Sequence, residues 1–589
     1  MLYPIQNNVR NKLDISGIWD FKTDPDGIGE AEGWANGLSG SRPMAVPGSW
    51  NEQYNDLFDY LDLAWYVKGV YVPSSWQGQR IFLRVGSAVY FGVVYVNGVK
   101  VGSHEGGHLP FAFEITDQIR WGEENVVAIS VENELKPSRV PSGNMPGSDM
   151  SMFMSTPKTT YDFYPFAGIH RPVVLYSVPQ TYIEDVTVVT TIEPEAQVKV
   201  TVKLNTAVSG QGSVQLVGGD AVFKADLLFA GGVAEATLPV AGARLWSDKD
   251  PYLYDLTVAT EGDRYSLKVG IRTIAVDGGK ILLNGQAVKL NGFGRHEDFI
   301  ASGKGLNLPL VVKDYQLMRW TGANSYRTSH YPYSEEEMQM ADREGFLIID
   351  EIPAVSLQMA DEANGPERLR MCLRQIEEMI ARDKNHPAVV MWCVANEPMP
   401  KGFAVGAMGE SNLAMEEANV PGKVFLEREI ARARELDPTR LVTIVTVMGG
   451  PQSWMEKCDV VCMNRYWGWY TLGGQLDIAR LKLAEELDQV WERWGKPIIM
   501  TEFGADTVPG FHGHPNVMWT EEYQADYIRF HLEAADEREF VAGMQVWNFA
   551  DFAAVQSLMR VGGINHKGIF TRVRTPKMAA HVLREFWVK

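Results

Sequence analysis

The sequence predicts two β-sandwiches in series, a jelly roll and an immunoglobulin-like domain, followed by a (β/α)8 TIM barrel. Three observations carry this. Short strands of alternating or continuous apolar character fill the first 275 residues, punctuated by Gly, Pro and Asn-Gly. Beyond residue 276 the period changes, and apolar strands alternate with amphipathic helices. Eight such strands can be counted, the number that closes a barrel. The length, 589 residues, accommodates about three or four domains.

In the expected jelly roll, residues 1–179, the stretch 65–72 runs apolar and stops at Pro73. Residues 92–101 form a hairpin turning at Asn97-Gly98, and residues 126–131 add a further strand. In the expected immunoglobulin-like domain, residues 180–275, strands at 186–191, 197–204 and 253–260 are separated by Gly-rich or acidic turns. In the expected barrel, residues 276–589, strands fall at 288–292, 323–327, 346–351, 389–396, 441–447, 460–466, 497–504 and 543–549. Helices follow from Ser334 and over 366–381, 422–436, 477–494 and 521–537. Such alternation requires a parallel sheet with crossovers. No Gly-rich phosphate loop follows the first strand, which argues against an open doubly wound sheet.

Composition narrows the function classes. The apolar and charged fractions, 45% and 22%, are those of a globular protein. A formal charge of −19 argues against a nucleic-acid partner, and makes any local cluster of Lys and Arg informative. No run approaches the length needed to span a bilayer, so no membrane association is expected. Residues 1–8 lack a charged segment leading into an apolar one, and there is no Asn-x-Ser/Thr site, so a cytoplasmic location is expected. The four cysteines read as buried, reduced thiols: Cys372 in a helix, Cys393 and Cys462 within strands, Cys458 at the start of one. His512-Gly513-His514 lies in a Gly/Pro loop without zinc spacing, so no metal is expected.

Two carboxylates carry the chemistry. Glu397 follows the apolar strand ending in Val394-Ala395-Asn396 and precedes Pro398. Glu502 follows Ile498-Ile499-Met500-Thr501 and precedes Gly504. Side chains at the C-terminal ends of barrel strands face the active site. Two glutamates there meet the needs of glycoside hydrolysis, one as proton donor and one as nucleophile or base. Side chains alone can do this, so no cofactor is expected.

Further motifs carry a family resemblance: Asn291-Gly292-Phe293-Gly294-Arg295-His296-Glu297-Asp298; Ala323-Asn324-Ser325-Tyr326-Arg327-Thr328-Ser329-His330-Tyr331-Pro332; Asn464-Arg465-Tyr466-Trp467-Gly468-Trp469-Tyr470; and Gln545-Val546-Trp547-Asn548-Phe549. In this order, over nearly the whole chain, they resemble glycoside hydrolase family 2, and within it the β-glucuronidases. The resemblance implies a retaining mechanism, with Glu397 as acid/base and Glu502 as nucleophile. It implies that Asn396 binds the sugar 2-hydroxyl and that Tyr466 reaches Glu502. His296, His330, Asn464, Tyr470 and Trp547 would line the sugar cleft, and Asp162 of the jelly roll would hydrogen-bond sugar hydroxyls. In a retaining enzyme the carboxyls sit only about 5–5.5 Å apart and do not easily both ionise, so the Glu502 charge would keep Glu397 protonated.

The same resemblance assigns the sugar. Asn565 and Lys567, in Gly562-Gly563-Ile564-Asn565-His566-Lys567-Gly568, match the pair that holds the substrate carboxylate in glucuronidases, and Arg560 would add a second cation. An unpaired lysine in a closed cleft is costly, so a uronate would be preferred over a neutral hexose. The expected partner is a small-molecule or oligosaccharide β-glucuronide, and the expected assembly a homo-oligomer, tetrameric by resemblance. Two departures stand out. Ile564 is inserted before Asn565, which could tilt the clamp toward a galacturonide. The segment between Ile352 and Pro366 is short, which implies a more open aglycone side. Two other readings use the same scaffold: a neutral-sugar β-galactosidase, which would not need Asn565 and Lys567, and a noncatalytic carbohydrate-binding relative, which would lack one catalytic carboxylate.

Overall fold

The computed structural model describes residues 1–143, 157, 159–402 and 413–588. The first domain packs a six-stranded antiparallel sheet, whose central strands are Leu63–Val70 and Asn125–Glu132, against a four-stranded one centred on Val173–Val178 and Arg80–Val85. Inward residues such as Trp19, Phe21, Leu83, Val94 and Ile129 form its core. The Asn97-Gly98 turn joins Phe91–Val96 to Val99–Glu105, and both turn residues have positive φ, 51° and 79°. Asn and Gly tolerate that conformation, which matches the twist of the flanking strands.

The second domain has seven strands in sheets of three and four. Its strand Gln197–Leu204 alternates buried and more exposed residues along its whole length, the period-two pattern of a one-sided sheet. Arg272 of this domain donates to the carbonyls of Pro387 and Val389 at 3.1 and 2.6 Å, tying the sandwich to the start of a barrel strand.

The barrel closes through eight parallel strands: β1 Leu290–Gly294, β2 Ser325–Arg327, β3 Leu347–Glu351, β4 Val389–Asn396, β5 Leu441–Thr446, β6 Val461–Asn464, β7 Ile498–Glu502 and β8 Val541–Val546. Around it lie α1 Leu308–Thr321, α2 Glu335–Glu344, α3 Gly365–Asp383, α4 Val420–Leu436, α5 Leu476–Trp494, α6 Glu521–Asp536 and α7 Met578–Trp587. Every residue of β4 is buried, as a strand covered on both faces must be. The fold class is the expected one.

Three barrel elements depart from the expectation: β1, α1, and α7, for which no helix was expected over Met578–Trp587. The first barrel strand begins at Leu290 rather than 288, because Gln286–Val288 pairs instead with Lys280–Leu283 in a hairpin turned by Asn284-Gly285. Helix α1 carries no period in the sequence that marks it. Its ends do: the Asn307 side chain accepts from the Leu310 amide, Pro309 sits in the first turn, and Gly322 ends it in the left-handed region at φ 85°. The four cysteines are free and buried, with Cys458 ahead of β6 rather than in it.

Candidate active site

The C-terminal ends of the strands converge on a cleft whose floor is polar and whose walls are aromatic. Asn396 ends β4, and Glu397 follows in the left-handed region at φ 46°, its amide donating to the Val445 carbonyl at 2.8 Å. The register between β4 and β5 shifts just before this point. A bulge of that kind re-aims side chains at a strand end, and a glutamate held at positive φ stores strain that the surrounding ladder must offset. The segment after Ile352 is stitched alongside: Ser356 donates to the Asn396 carbonyl at 2.9 Å and Met399 to the Leu357 carbonyl at 2.8 Å. The short loop thus braces the backbone that presents Glu397.

Glu502 ends β7 and is held from two sides. Arg327 Nη2 donates to its Oε1 at 2.5 Å and the Tyr466 hydroxyl donates to its Oε2 at 2.6 Å. Asn464, the last residue of β6, donates through Nδ2 to Glu397 Oε1 at 3.0 Å, while its own Oδ1 accepts from Thr501 at 2.9 Å. That second bond fixes which face of the Asn464 amide meets Glu397. Asn396 accepts through Oδ1 from Arg327 at 3.2 Å and from Asn464 at 3.3 Å, which turns its donor nitrogen to other partners. Burial, with the Glu502 charge second, pushes the Glu397 carboxyl up to about 8. A carboxyl in that state carries a proton at neutral pH.

The wall is built from both the barrel and the first sandwich. Trp547 stacks on His330 with centroids 5.0 Å apart and meets His296 edge-on at 5.3 Å. Phe163 of the first sandwich lies 5.1 Å from the His296 ring. His296 Nδ1 bonds the Tyr331 hydroxyl at 3.0 Å, and its buried Nε2 has no protein partner among the described residues. Burial lowers the His296 pKa well below the ordinary value, so the ring is neutral.

The third part is the cationic cluster. Lys567 is buried, with Nζ bonded to Asp506 and to the Tyr470 hydroxyl at 2.9 Å. Arg560 grips Asp162 through Nε at 2.7 Å and Nη2 at 2.5 Å. Asn565 donates to the same Asp162 carboxylate at 2.7 Å and accepts from the Lys567 amide at 3.0 Å. One expectation is corrected here. Lys567 is not unpaired, because Asp506 neutralises it. Asp162 is held by both Arg560 and Asn565 while its side chain stays partly exposed. Beside the inserted Ile564, Gly562 and Gly563 turn at φ 67° and 70°, and Asn565 pairs with Phe552 across a two-residue ladder.

All thirteen residues singled out from the sequence lie in or against this cleft: Glu397, Glu502, Asp162, His296, His330, Asn396, Asn464, Tyr466, Tyr470, Trp547, Arg560, Asn565 and Lys567. The sequence reading missed Asp506, Phe163, Arg327 and Glu351. Arg327 and Glu351 each end a barrel strand, the signal that marked the paired glutamates, and Arg327 also lies within a motif that carries the resemblance; Asp506 and Phe163 end no strand. The arrangement can do acid/base and nucleophilic work at one end and hold an anion at the other.

Comparison with known proteins agrees with the architecture. Three family models match in chain order: "Glycosyl hydrolases family 2, sugar binding domain" over residues 12–179, "Glycosyl hydrolases family 2" over 181–272, and "Glycosyl hydrolases family 2, TIM barrel domain" over 274–589. A Paenibacillus borealis protein named beta-glucuronidase is 40% identical over all of this chain and 98% of its own length. The Homo sapiens beta-glucuronidase is 38% identical, over all of this chain and 92% of its own. Among solved structures, the Dictyoglomus thermophilum beta-D-glucuronidase superposes with a TM-score of 0.87 at 38% identity, covering 100% of this chain and 99% of that one. A Ruminococcus gnavus b-glucuronidase in complex with D-glucuronic acid superposes with a TM-score of 0.89 at 36% identity, over 99% of each chain. With its two sandwiches and its barrel matched end to end, the chain belongs to glycosyl hydrolase family 2.

Proposed function

We propose that the chain is a retaining β-glucuronidase. Glu502 attacks the anomeric carbon as the bond to the aglycone oxygen breaks, and Glu397 gives that oxygen its proton. Once Glu502 is esterified its charge is gone, and Glu397 becomes the more acidic for it. A water then adds to the anomeric carbon, gives a proton to Glu397, and the ester bond to Glu502 breaks. The donor nitrogen of Asn396 is oriented for the sugar 2-hydroxyl, a contact that strengthens at the transition state.

The observation that carries the sugar assignment is the junction of the two ends of the cleft. Tyr466 bonds Glu502 and packs at 5.0 Å against Tyr470, which bonds Lys567. An ammonium has three donors, and two of those on Lys567 are used by Asp506 and Tyr470, which leaves one for a substrate carboxylate. Relatives named beta-glucuronidase, and one solved with D-glucuronic acid, support this reading. The names of those relatives favour the glucuronide over the galacturonide alternative. Homo-oligomerisation belongs to the same proposal.

Matched rates on 4-nitrophenyl β-D-glucuronide, β-D-galacturonide and β-D-galactoside test it. The glucuronide is expected to lead. Glu502→Ala should lose at least about 10³-fold on any sugar, as removal of a nucleophile does. Lys567→Ala should lose about 100-fold on the uronide, since it strands Asp506 and removes the cation, and little on the galactoside. A leading galactoside would sink the uronate assignment.

A further inference from the structure

Glu351 ends β3, is fully buried, and belongs to neither catalytic pair nor clamp. Its Oε2 accepts from Arg327 Nη1 at 2.6 Å and its Oε1 accepts from His330 Nδ1 at 2.9 Å. Its amide donates to the Thr328 hydroxyl oxygen at 2.9 Å, which fixes the backbone. The other amino group of Arg327 is the one that holds Glu502 at 2.5 Å. One buried guanidinium is therefore shared between the proposed nucleophile and a third carboxylate.

We infer that Glu351 is a positioning residue for the double displacement, acting through Arg327 and His330. By sharing the Arg327 charge it keeps Glu502 free to attack, and it prevents an uncompensated cation once Glu502 is esterified. This rests on the retaining-hydrolase reading of Glu397 and Glu502.

The charge count makes the role specific. With Arg327 positive and Glu351 and Glu502 negative, the free cluster carries one net negative charge. That sign favours the positive charge that builds on the sugar ring at the transition state. After ester formation the cluster is neutral. Without Glu351 it would be neutral at the start and positive in the intermediate, a buried cation with no ionised carboxylate paired to it. Glu502 would also be tied to Arg327 alone, which blunts its nucleophilicity.

The surroundings do not supply a substitute. Among the described residues, Glu351 and Glu502 are the carboxylates that pair with Arg327. The thiols of Cys393 on β4 and Cys462 on β6 also face this cluster, but burial raises both pKa values, so they stay neutral. Glu397 is faced by Glu502 from β7, Arg327 from β2, Asn464 at the end of β6, and Arg465 and Tyr466 beyond it. Arg327 and Arg465 both lower its pKa, so removing the carboxylate that offsets Arg327 should lower it further.

The test uses the full chain, with kcat and KM followed between about pH 5 and 9. It is read on whichever sugar the wild-type chain hydrolyses, so a wrong sugar assignment leaves it intact. Glu351→Gln should keep the melting transition cooperative and lower kcat about 100-fold, with KM changing less than about threefold. The basic limb of its profile should move about one unit toward lower pH. Glu351→Asp keeps the charge and shifts its place, so its basic limb should stay while kcat falls at least about fivefold. A folded Glu351→Gln whose basic limb does not move, or whose kcat stays within about threefold of wild type, would overturn the inference. Should Glu351→Gln not fold, Glu351→Asp decides alone. An unmoved limb with lowered kcat supports the role, and a moved limb or unchanged kcat refutes it.

Discussion

Glu397 shows what the site gives up in stability to be a catalyst. Its backbone sits at φ 46° and its carboxyl is pushed up to about 8, first by burial and then by Glu502. The unfolded chain would release that proton near its ordinary pKa of about 4.3, so the folded state binds the proton more tightly. Stability from this group is therefore full below about pH 4, falls as pH rises, and is lost by about pH 8. Glu397→Gln keeps the shape and removes the titration, so its melting temperature should exceed wild type at pH 8 and converge on it near pH 4. Glu397 is only partly buried from solvent, so the gain is on the order of 2 kcal/mol rather than the full shift. Calorimetry at the two pH values reads it, and equal gains at both would show that the carboxyl does not titrate as described. The paired glutamates were legible because each follows an apolar run and precedes Pro or Gly. Their supports were not. Asp506 meets Lys567 across 61 residues, and Arg327 meets Glu502 across 175, separations that only the closed barrel brings together.

At the scale of elements, the sequence located β4 to the residue and β7 to within two, because a strand buried on both faces reads as a continuous apolar run. It lost α1, where Leu308 and Val312 remain half exposed and blur the apolar stripe, and it merged a hairpin strand into β1. The inserted Ile564 was visible as a departure, but not its surroundings. Two glycines at positive φ form a turn just ahead of it, and Asn565 lies opposite Phe552. A strand slipped by one residue turns every side chain to the other face. Deleting Ile564 should therefore not repair the clamp but break it. The Asn565 side chain would leave Asp162, and kcat/KM on the uronide should fall about 100-fold, with the fold and any galactoside activity unchanged. If the deletion instead raises uronide activity, the insertion is a strained feature and the turn does not absorb it.

Over the whole molecule, the three domains could be counted in the sequence but their joints could not. Arg272 of the second sandwich reaches the carbonyl of Val389, 117 residues away, and Arg171 of the first reaches Glu297 at 3.1 Å. The first sandwich also supplies Asp162 and Phe163 to the cleft, so the site exists only when the domains are docked. A long-range consequence follows from charge. The chain carries −19, and an anionic substrate must approach it. The cationic end of the cleft does not offset this at a distance, because Lys567 and Arg560 are matched by Asp506 and Asp162. Arg327, Glu351 and Glu502 add one further net negative charge. Attraction between the clamp and a uronate is therefore short-ranged, made of hydrogen bonds, while the repulsion is long-ranged and screened by salt. The screening length falls from about 30 Å at 0.01 M to about 8 Å at 0.15 M ionic strength. Raising salt across that range should increase kcat/KM on a glucuronide about two- to fivefold, carried by KM with kcat unchanged. A fall in kcat/KM over the same range would mean that the clamp cations act on the substrate from outside the cleft, and that Asp506 and Asp162 do not neutralise them.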